Sequence, residues 1–112
     1  MWLKSAPPLG DFEQLVLMGV LRLGDAAYGA AIRQEIHARS GRDVSISAVY
    51  TTLDRLEAKG FLSSWIGAPT AQRGGRRRKF YAIQPAGLAA LRQAYRAIAS
   101  MADGLEARLE AK

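Results

Sequence analysis

The segment that decides the fold runs from residue 45 to residue 83 and reads SISAVYTTLDRLEAKG, followed by FLSSWIGAPTAQRGGRRRKFYAI. Its first part carries an apolar stripe at steps of three and four residues, formed by Ile46, Val49, Leu53 and Leu56. This spacing predicts a helix with one buried face. The helix is expected to begin after Ser45, which is a good N-cap, and to end at Gly60.

The second part of the segment predicts a β-hairpin. Residues 61–66 alternate in part between apolar and polar side chains, and residues 79–83 have the composition of a strand. Residues 67–76 lie between them and are polar and rich in glycine. The sequence therefore predicts two short strands joined by a long turn with a basic tip.

Two further helices are predicted before this segment. The first begins at Asp11, which with Gln14 matches a capping-box pattern, and it is apolar on almost every face. A helix of that kind is buried on more than one side. The second begins near Ala27 or Tyr28 and runs to about Arg39.

A last helix is predicted from Pro85 to near the C-terminus, weakened by Gly104. Its apolar residues form an unbroken heptad seam, the pattern of a helix that packs on a partner helix. We therefore expect a homodimer built by this helix with help from the first. The expected dimer-interface residues are Phe12, Leu15, Leu91, Tyr95, Ile98, Ala102 and Leu105.

The net charge of +6 is concentrated in one place. Five basic residues without an acid among them lie at the end of the predicted turn: Arg73, Arg76, Arg77, Arg78 and Lys79. Such a cluster indicates a polyanionic partner. A membrane surface fits less well than nucleic acid, because the cluster lies in a turn and not on an amphipathic helix.

Composition argues against several other classes of protein. The chain has no cysteine and one histidine, so neither a metal site nor a cofactor is expected. No nucleophile and base occur at a useful spacing, so we do not expect an enzyme. The sequence has no apolar run long enough to span a membrane and no export signature, which fits a cytoplasmic protein.

Together these elements predict a mainly α-helical chain with a small β-hairpin, a winged helix-turn-helix plus a C-terminal dimerisation helix. The expected parts are an N-terminal tail (1–10), the winged helix-turn-helix (11–84) and the dimerisation helix (85–112). The third helix would lie in the major groove and the basic hairpin on the backbone. Besides the five basic residues, the expected DNA-binding residues are Ser47, Tyr50, Thr51 and Arg55.

Some of these roles have alternatives. Tyr50 either contacts DNA or packs at the edge of the core, and Arg55 either contacts DNA or pairs with a neighbouring acid. Trp65 is expected to pack and not to bind a ligand. The whole chain could also be a protein-interaction module, since winged helices serve that purpose as well. Five basic residues at a hairpin tip favour DNA.

Several segments resemble the PadR family of transcriptional regulators. They are Tyr28–Gly29, the segment VYTTLDRLEAKG at residues 49–60, GGRRRKFY at 74–81 and PAG at 85–87, in that order. The resemblance implies a dimeric repressor of a pseudo-palindromic operator on double-stranded DNA. It also implies release by a small hydrophobic effector, for which Phe12, Leu15 and Tyr95 are the expected lining residues.

Overall fold

The computed structural model describes residues 8–68 and 77–111. The elements, in chain order, are α1 (Asp11–Leu23), a 3₁₀ turn (Gly24–Ala26), α2 (Gly29–Ser40), α3 (Ile46–Ala58), β1 (Leu62–Ile66), β2 (Lys79–Ile83), α4 (Pro85–Ala102) and α5 (Glu106–Leu109). The predicted order of three helices, a hairpin and a C-terminal helix is confirmed. Among the described residues, no helix is both long and apolar enough to cross a membrane.

The start of α1 differs from the prediction. Gly10 is the N-cap and Asp11 is the first helical residue. Glu13 accepts a hydrogen bond from the Gly10 amide at 2.9 Å, as the third helical residue does in a capping box. Gln14, which was expected in that role, lies one position too far along the helix and donates to the Leu9 carbonyl at 3.1 Å.

The turn between α2 and α3 follows its sequence signals. Gly41 ends α2 with a φ of 74°, a left-handed conformation that favours glycine. Ser45 caps α3, because its hydroxyl accepts a hydrogen bond from the Ala48 amide at 3.0 Å. This short connection fixes the direction in which α3 leaves the helix pair.

One hydrophobic core lies between the three helices and the hairpin. It extends from Leu9, just before α1, to Leu91 in α4. Its largest fully buried side chains are Tyr81, Leu17, Ile32, Leu53, Leu56, Val16 and Val49. The apolar stripe of α3 is therefore turned inward, and its polar face is left outside.

The hairpin is tied to the helices by the backbone as well as by packing. Its antiparallel register runs from Leu62 opposite Ile83 to Ile66 opposite Lys79. The extended residue before α2, Tyr28, forms an additional bridge with Phe80 in β2. The Tyr81 amide also donates to the Ala27 carbonyl at 2.8 Å. The chain before α2 therefore acts as a short third strand.

The C-terminal helix is interrupted, which corrects the prediction of an unbroken seam. Helix α4 ends at Ala102, and α5 begins at Glu106. Between them, Gly104 has a φ of 86°. A right-handed helix cannot continue through that conformation. Leu105 and Leu109 therefore lie beyond the break and do not extend the α4 stripe in a straight line.

Candidate nucleic-acid interface

The outer face of α3 is polar and accessible. Ser47, Thr51 and Arg55 are exposed, whereas the neighbouring Thr52 is buried. The three exposed residues occur at steps of four, so they lie along one side of the helix. Hydroxyl groups near the N-terminal end and a guanidinium further on give this side both donors and acceptors for base edges.

Tyr50 lies between the polar face of α3 and the start of α2. Its side chain is 43% exposed. Its ring packs so closely over Gly29 that a Cβ atom at Gly29 would be only 2.5 Å from the tyrosine Cζ. Gly29 is therefore required for this contact. The packing role considered for Tyr50 is present, and the exposed part of the ring is still available to a ligand.

The described part of the basic cluster lies at the start of β2, beside the loop that joins the two strands. We call this region, where the strands meet the loop, the base of the hairpin. Arg77, Arg78 and Lys79 are exposed there, whereas Arg73 and Arg76 lie outside the described residues. The Arg78 guanidinium carbon is 4.3 Å from the centre of the Tyr28 ring, a cation–π contact. The hairpin thus presents positive charge close to the beginning of α2.

A polar network joins the hairpin to α3. Glu57, near the end of α3, accepts a hydrogen bond from the Ser64 hydroxyl at 2.5 Å and lies 3.4 Å from the Lys79 ammonium. The Ser64 hydrogen bond and the Lys79 charge lower the pKa of the Glu57 carboxyl, outweighing its partial desolvation. Lys79, predicted only as a DNA contact, therefore also holds the hairpin against α3.

Aromatic rings stiffen the base of the hairpin. Phe80 stacks on Trp65 across the two strands, with ring centres 5.8 Å apart, and meets the Tyr28 ring edge-on at 5.7 Å. The ring of Phe80 also covers Gly67, where a Cβ atom would lie 2.5 Å from it. Trp65 has the packing role expected from the sequence. Neither the Tyr28 ring contacts nor their link to Arg78 was predicted.

A second brace joins α1 to the C-terminal end of α3. The Lys59 ammonium lies 2.9 Å from one carboxylate oxygen of Glu13, whose other oxygen accepts from the Gly10 amide. Burial raises the pKa of Glu13, but the Gly10 amide and the Lys59 charge outweigh it and hold that pKa below its usual value. In the sequence, this contact is indicated by Glu13, which lies three residues after Gly10 at the third helical position.

The arrangement has the chemistry of a DNA-reading surface. A helix with neutral hydrogen-bonding groups at its exposed N-terminal end lies next to a hairpin with fixed cations. Neutral groups can read base edges, and guanidinium and ammonium groups can hold phosphates. Glu57 joins the hairpin to α3, and Glu13 holds the C-terminal end of α3 against α1.

Comparison with known proteins identifies the family of this chain. A model of the transcriptional regulator PadR-like family matches residues 17–93, well over half of the chain. This chain belongs to the PadR-like family of transcriptional regulators. The family consists of regulators and not of enzymes, so the prediction of a non-enzymatic protein is confirmed.

Individual relatives support the PadR assignment. The transcriptional regulator Rv3488 of Mycobacterium tuberculosis is 43% identical over 77 residues, which are 67% of this chain and 65% of that protein. The match thus spans slightly less than two thirds of that relative. A PadR family regulator from Eggerthella lenta is 28% identical, with a TM-score of 0.63, covering 88% of this chain and 84% of its own.

A third relative shows the fold alone. The structure of a transcriptional regulator from Clostridium thermocellum is 23% identical, with a TM-score of 0.68. It covers 84% of this chain and 85% of its own chain. The winged-helix architecture predicted from the sequence is confirmed by these likenesses.

The C-terminal helix of this PadR protein has two distinct halves. Leu91 is 5% exposed and packs in the core of its own chain, so its predicted place in a dimer interface needs correction. Tyr95, Ile98 and Met101 are 64%, 64% and 79% exposed. The free apolar surface of α4 therefore begins one turn after Leu91. Met101, which was not predicted, belongs to it.

Proposed function

We propose that this PadR-family chain is a dimeric repressor that binds a pseudo-palindromic site on double-stranded DNA. Helix α3 lies in the major groove and reads the base edges through Ser47, Tyr50, Thr51 and Arg55. The basic residues of the hairpin bind the backbone beside it. The observation that carries the proposal is that the polar face of α3 and the cations of the hairpin are held together by the Glu57 network.

The dimer is supported by the apolar surface of α4. Three large side chains that are more than half exposed follow one another within two turns of this helix: Tyr95, Ile98 and Met101. A second copy of the chain would cover them and would supply a second recognition helix. In a two-fold dimer the two α3 helices meet major grooves about one helical turn apart, roughly 10 base pairs or a multiple.

The effector proposal is supported by a groove between α1 and α2. It is lined by the apolar residues Leu15, Met18, Gly19 and Ile36 together with Arg22, Glu35, Arg39 and Ser40. Leu15 lines this groove, and the partly buried Phe12 lies one turn before it on α1. A small hydrophobic molecule bound there would alter the separation of the two recognition helices. If planar aromatic compounds neither raise the melting temperature nor release DNA, this part of the proposal is wrong.

The direct test is selection of bound sequences from a pool of random duplexes, followed by titration of the selected duplex and of a shuffled one. We expect an inverted repeat and a preference of at least about 1,000-fold over random DNA, as specific DNA-binding proteins show. Binding to all duplexes with equal affinity would contradict sequence-specific regulation. Failure to bind any duplex would instead favour a protein-interaction module.

A further inference from the structure

The contact between Arg78 and Tyr28 has a geometry suited to presenting a cation. The guanidinium carbon lies 4.3 Å from the ring centre. A guanidinium that stacks on a ring keeps its N–H donors in its own plane, where they remain free for an anion. An ammonium group has no such plane. The contact therefore distinguishes an arginine from any other cation at this position.

Both partners of this contact are fixed by the backbone. The Gly67 amide donates to the Arg78 carbonyl at 2.7 Å, which closes the base of the hairpin. Tyr28 forms a bridge with Phe80, and the preceding Ala27 carbonyl accepts from Tyr81. The Phe80 ring then supports the Tyr28 ring edge-on. The Tyr28 ring and the backbone of Arg78 are therefore both held in place.

We propose that Tyr28 is a positioning residue for DNA binding, which holds the Arg78 guanidinium in the direction of a phosphate of the bound duplex. The inference rests on the proposed function. A free arginine side chain loses considerable rotamer entropy when a phosphate fixes it. The cation–π contact with Tyr28 removes part of that freedom before DNA arrives, so more of the free energy of the phosphate contact appears as affinity.

The neighbouring cations lack this arrangement. Lys79 is engaged by Glu57, and its ammonium lies 5.6 Å from the Tyr81 ring. Arg77 has no ring contact within the part of the chain that the structure describes. Arginine should therefore matter for its planar shape at position 78 and chiefly for its charge at position 77.

The experiment first compares an arginine-to-lysine substitution at position 78 with the same substitution at position 77. A double-mutant cycle follows. All variants are titrated on the duplex that the wild-type protein selects. Arg78→Lys keeps the charge and every ring, so we expect a three- to fivefold loss of affinity from the weakened contact with Tyr28, converted at about 1.4 kcal/mol per tenfold. Arg77→Lys should lose less. Tyr28→Phe should bind within about twofold of wild type, whereas Tyr28→Leu should match Arg78→Lys.

The cycle identifies the cause of the loss. If Tyr28 acts through Arg78, the double variant Tyr28→Leu/Arg78→Ala binds no more weakly than Arg78→Ala alone. Both should show a dependence of log affinity on log salt that is flatter by about 0.9, the effect of one lost phosphate contact. Thermal unfolding of each free variant separates these losses from loss of fold.

Two results would overturn the inference and leave DNA binding intact. They are equal losses for Arg78→Lys and Arg77→Lys, and additive losses in the cycle. If Tyr28→Leu does not fold, the two lysine variants with Tyr28→Phe still decide the matter, because none of them removes a ring. Absence of sequence preference in the wild type would contradict the proposed function itself, and the inference with it.

Discussion

The hairpin base and the second half of α4 are both exposed, but they are built in opposite ways. Every described cation at the start of β2 except Arg77 is engaged by another side chain, Arg78 by Tyr28 and Lys79 by Glu57. On α4, Tyr95, Ile98 and Met101 are exposed in the second half of the helix, beyond Leu91, which packs in the core. One region is braced by its own chain and the other is not.

This difference separates two kinds of binding surface. A polar surface that reads DNA gains from groups held in place beforehand, because fixing them on binding costs entropy. A group of large apolar side chains exposed together, in contrast, is typical of a surface that binds another protein or a ligand. The hairpin side is therefore held in place within one chain, whereas the α4 side is the surface that we propose a second copy covers.

The largest expected effect comes from breaking the α4 surface. Ile98→Glu places a charge at the centre of the exposed apolar stripe, so the dimer should dissociate. A monomer has one recognition helix, and loss of the second should weaken operator binding by at least about 100-fold. Light scattering gives the mass, and titration on the selected duplex gives the affinity.

The matched control is Ser100→Glu, which adds the same charge to an exposed position on the opposite side of the same helix. It should remain dimeric and bind DNA. A dimeric Ile98→Glu protein with wild-type affinity would contradict the assignment of this surface. So would a wild-type protein that is a monomer at micromolar concentration.

A smaller effect is expected at the polar face of α3. Thr51→Leu removes a hydroxyl and adds bulk where α3 would meet base edges. We expect specific binding to fall by roughly ten- to a hundredfold, the cost of about one wrong base pair, with little change on random DNA. Arg77→Ala is the comparison and should weaken both classes of DNA equally. A Thr51→Leu protein with an unchanged ratio of specific to random affinity would remove Thr51 from the reading face.

A substitution at Gly29 tests how firmly the Tyr50 ring is held against the start of α2. Gly29→Ala would bring a methyl group to 2.5 Å from the Tyr50 Cζ atom, so the ring must move away. Overpacking of this kind costs about 1–2 kcal/mol in the free energy of unfolding. The double variant Gly29→Ala/Tyr50→Ala should be more stable than Gly29→Ala alone. If removing the tyrosine gives no such recovery in chemical denaturation, the ring is not what excludes the methyl group.

The elements that could be predicted from the sequence are those marked by a repeated spacing of apolar residues. The apolar stripe of α3 and its cap Ser45 defined that helix, because many residues contribute to one periodic signal. Leu91 shows the limit of this reasoning. A heptad pattern says that a residue is covered but not by which chain, and Leu91 is covered by its own core.

Features that depend on a single contact were not predictable. The ring beside Arg78 belongs to Tyr28, 50 positions earlier in the chain, and the two are brought together by the β-bridge to Phe80 and the Tyr81–Ala27 hydrogen bond. The end of α4 similarly depends on the backbone angle of Gly104. Glycine in a helix signals only a modest cost, which does not by itself predict a break.

The smallest expected effect concerns the brace between α1 and α3. The pKa of Glu13 is lower in the folded chain than its ordinary value of 4.5, because the Gly10 amide and Lys59 favour the charged form despite burial. A carboxylate of this kind stabilises the fold at pH above its unfolded pKa, and the benefit disappears as pH falls through the folded pKa. Glu13→Gln keeps the shape but not the charge. It should cost about 1 kcal/mol at pH 7, since Lys59 is partly exposed.

That difference should shrink as the pH falls through the lowered folded pKa of Glu13, because the wild-type carboxyl then becomes protonated as well. Other carboxylates with lowered pKa values, at Asp11 and Glu57, are present in both proteins and cancel from the comparison. Asp25→Asn, at an exposed position without an ion pair in the described chain, controls for removal of a charge. Urea unfolding from pH 3 to pH 8 measures all three proteins. A difference between wild type and Glu13→Gln that stays constant over this range would mean that packing, and not the Lys59 ion pair, holds α1 against the end of α3.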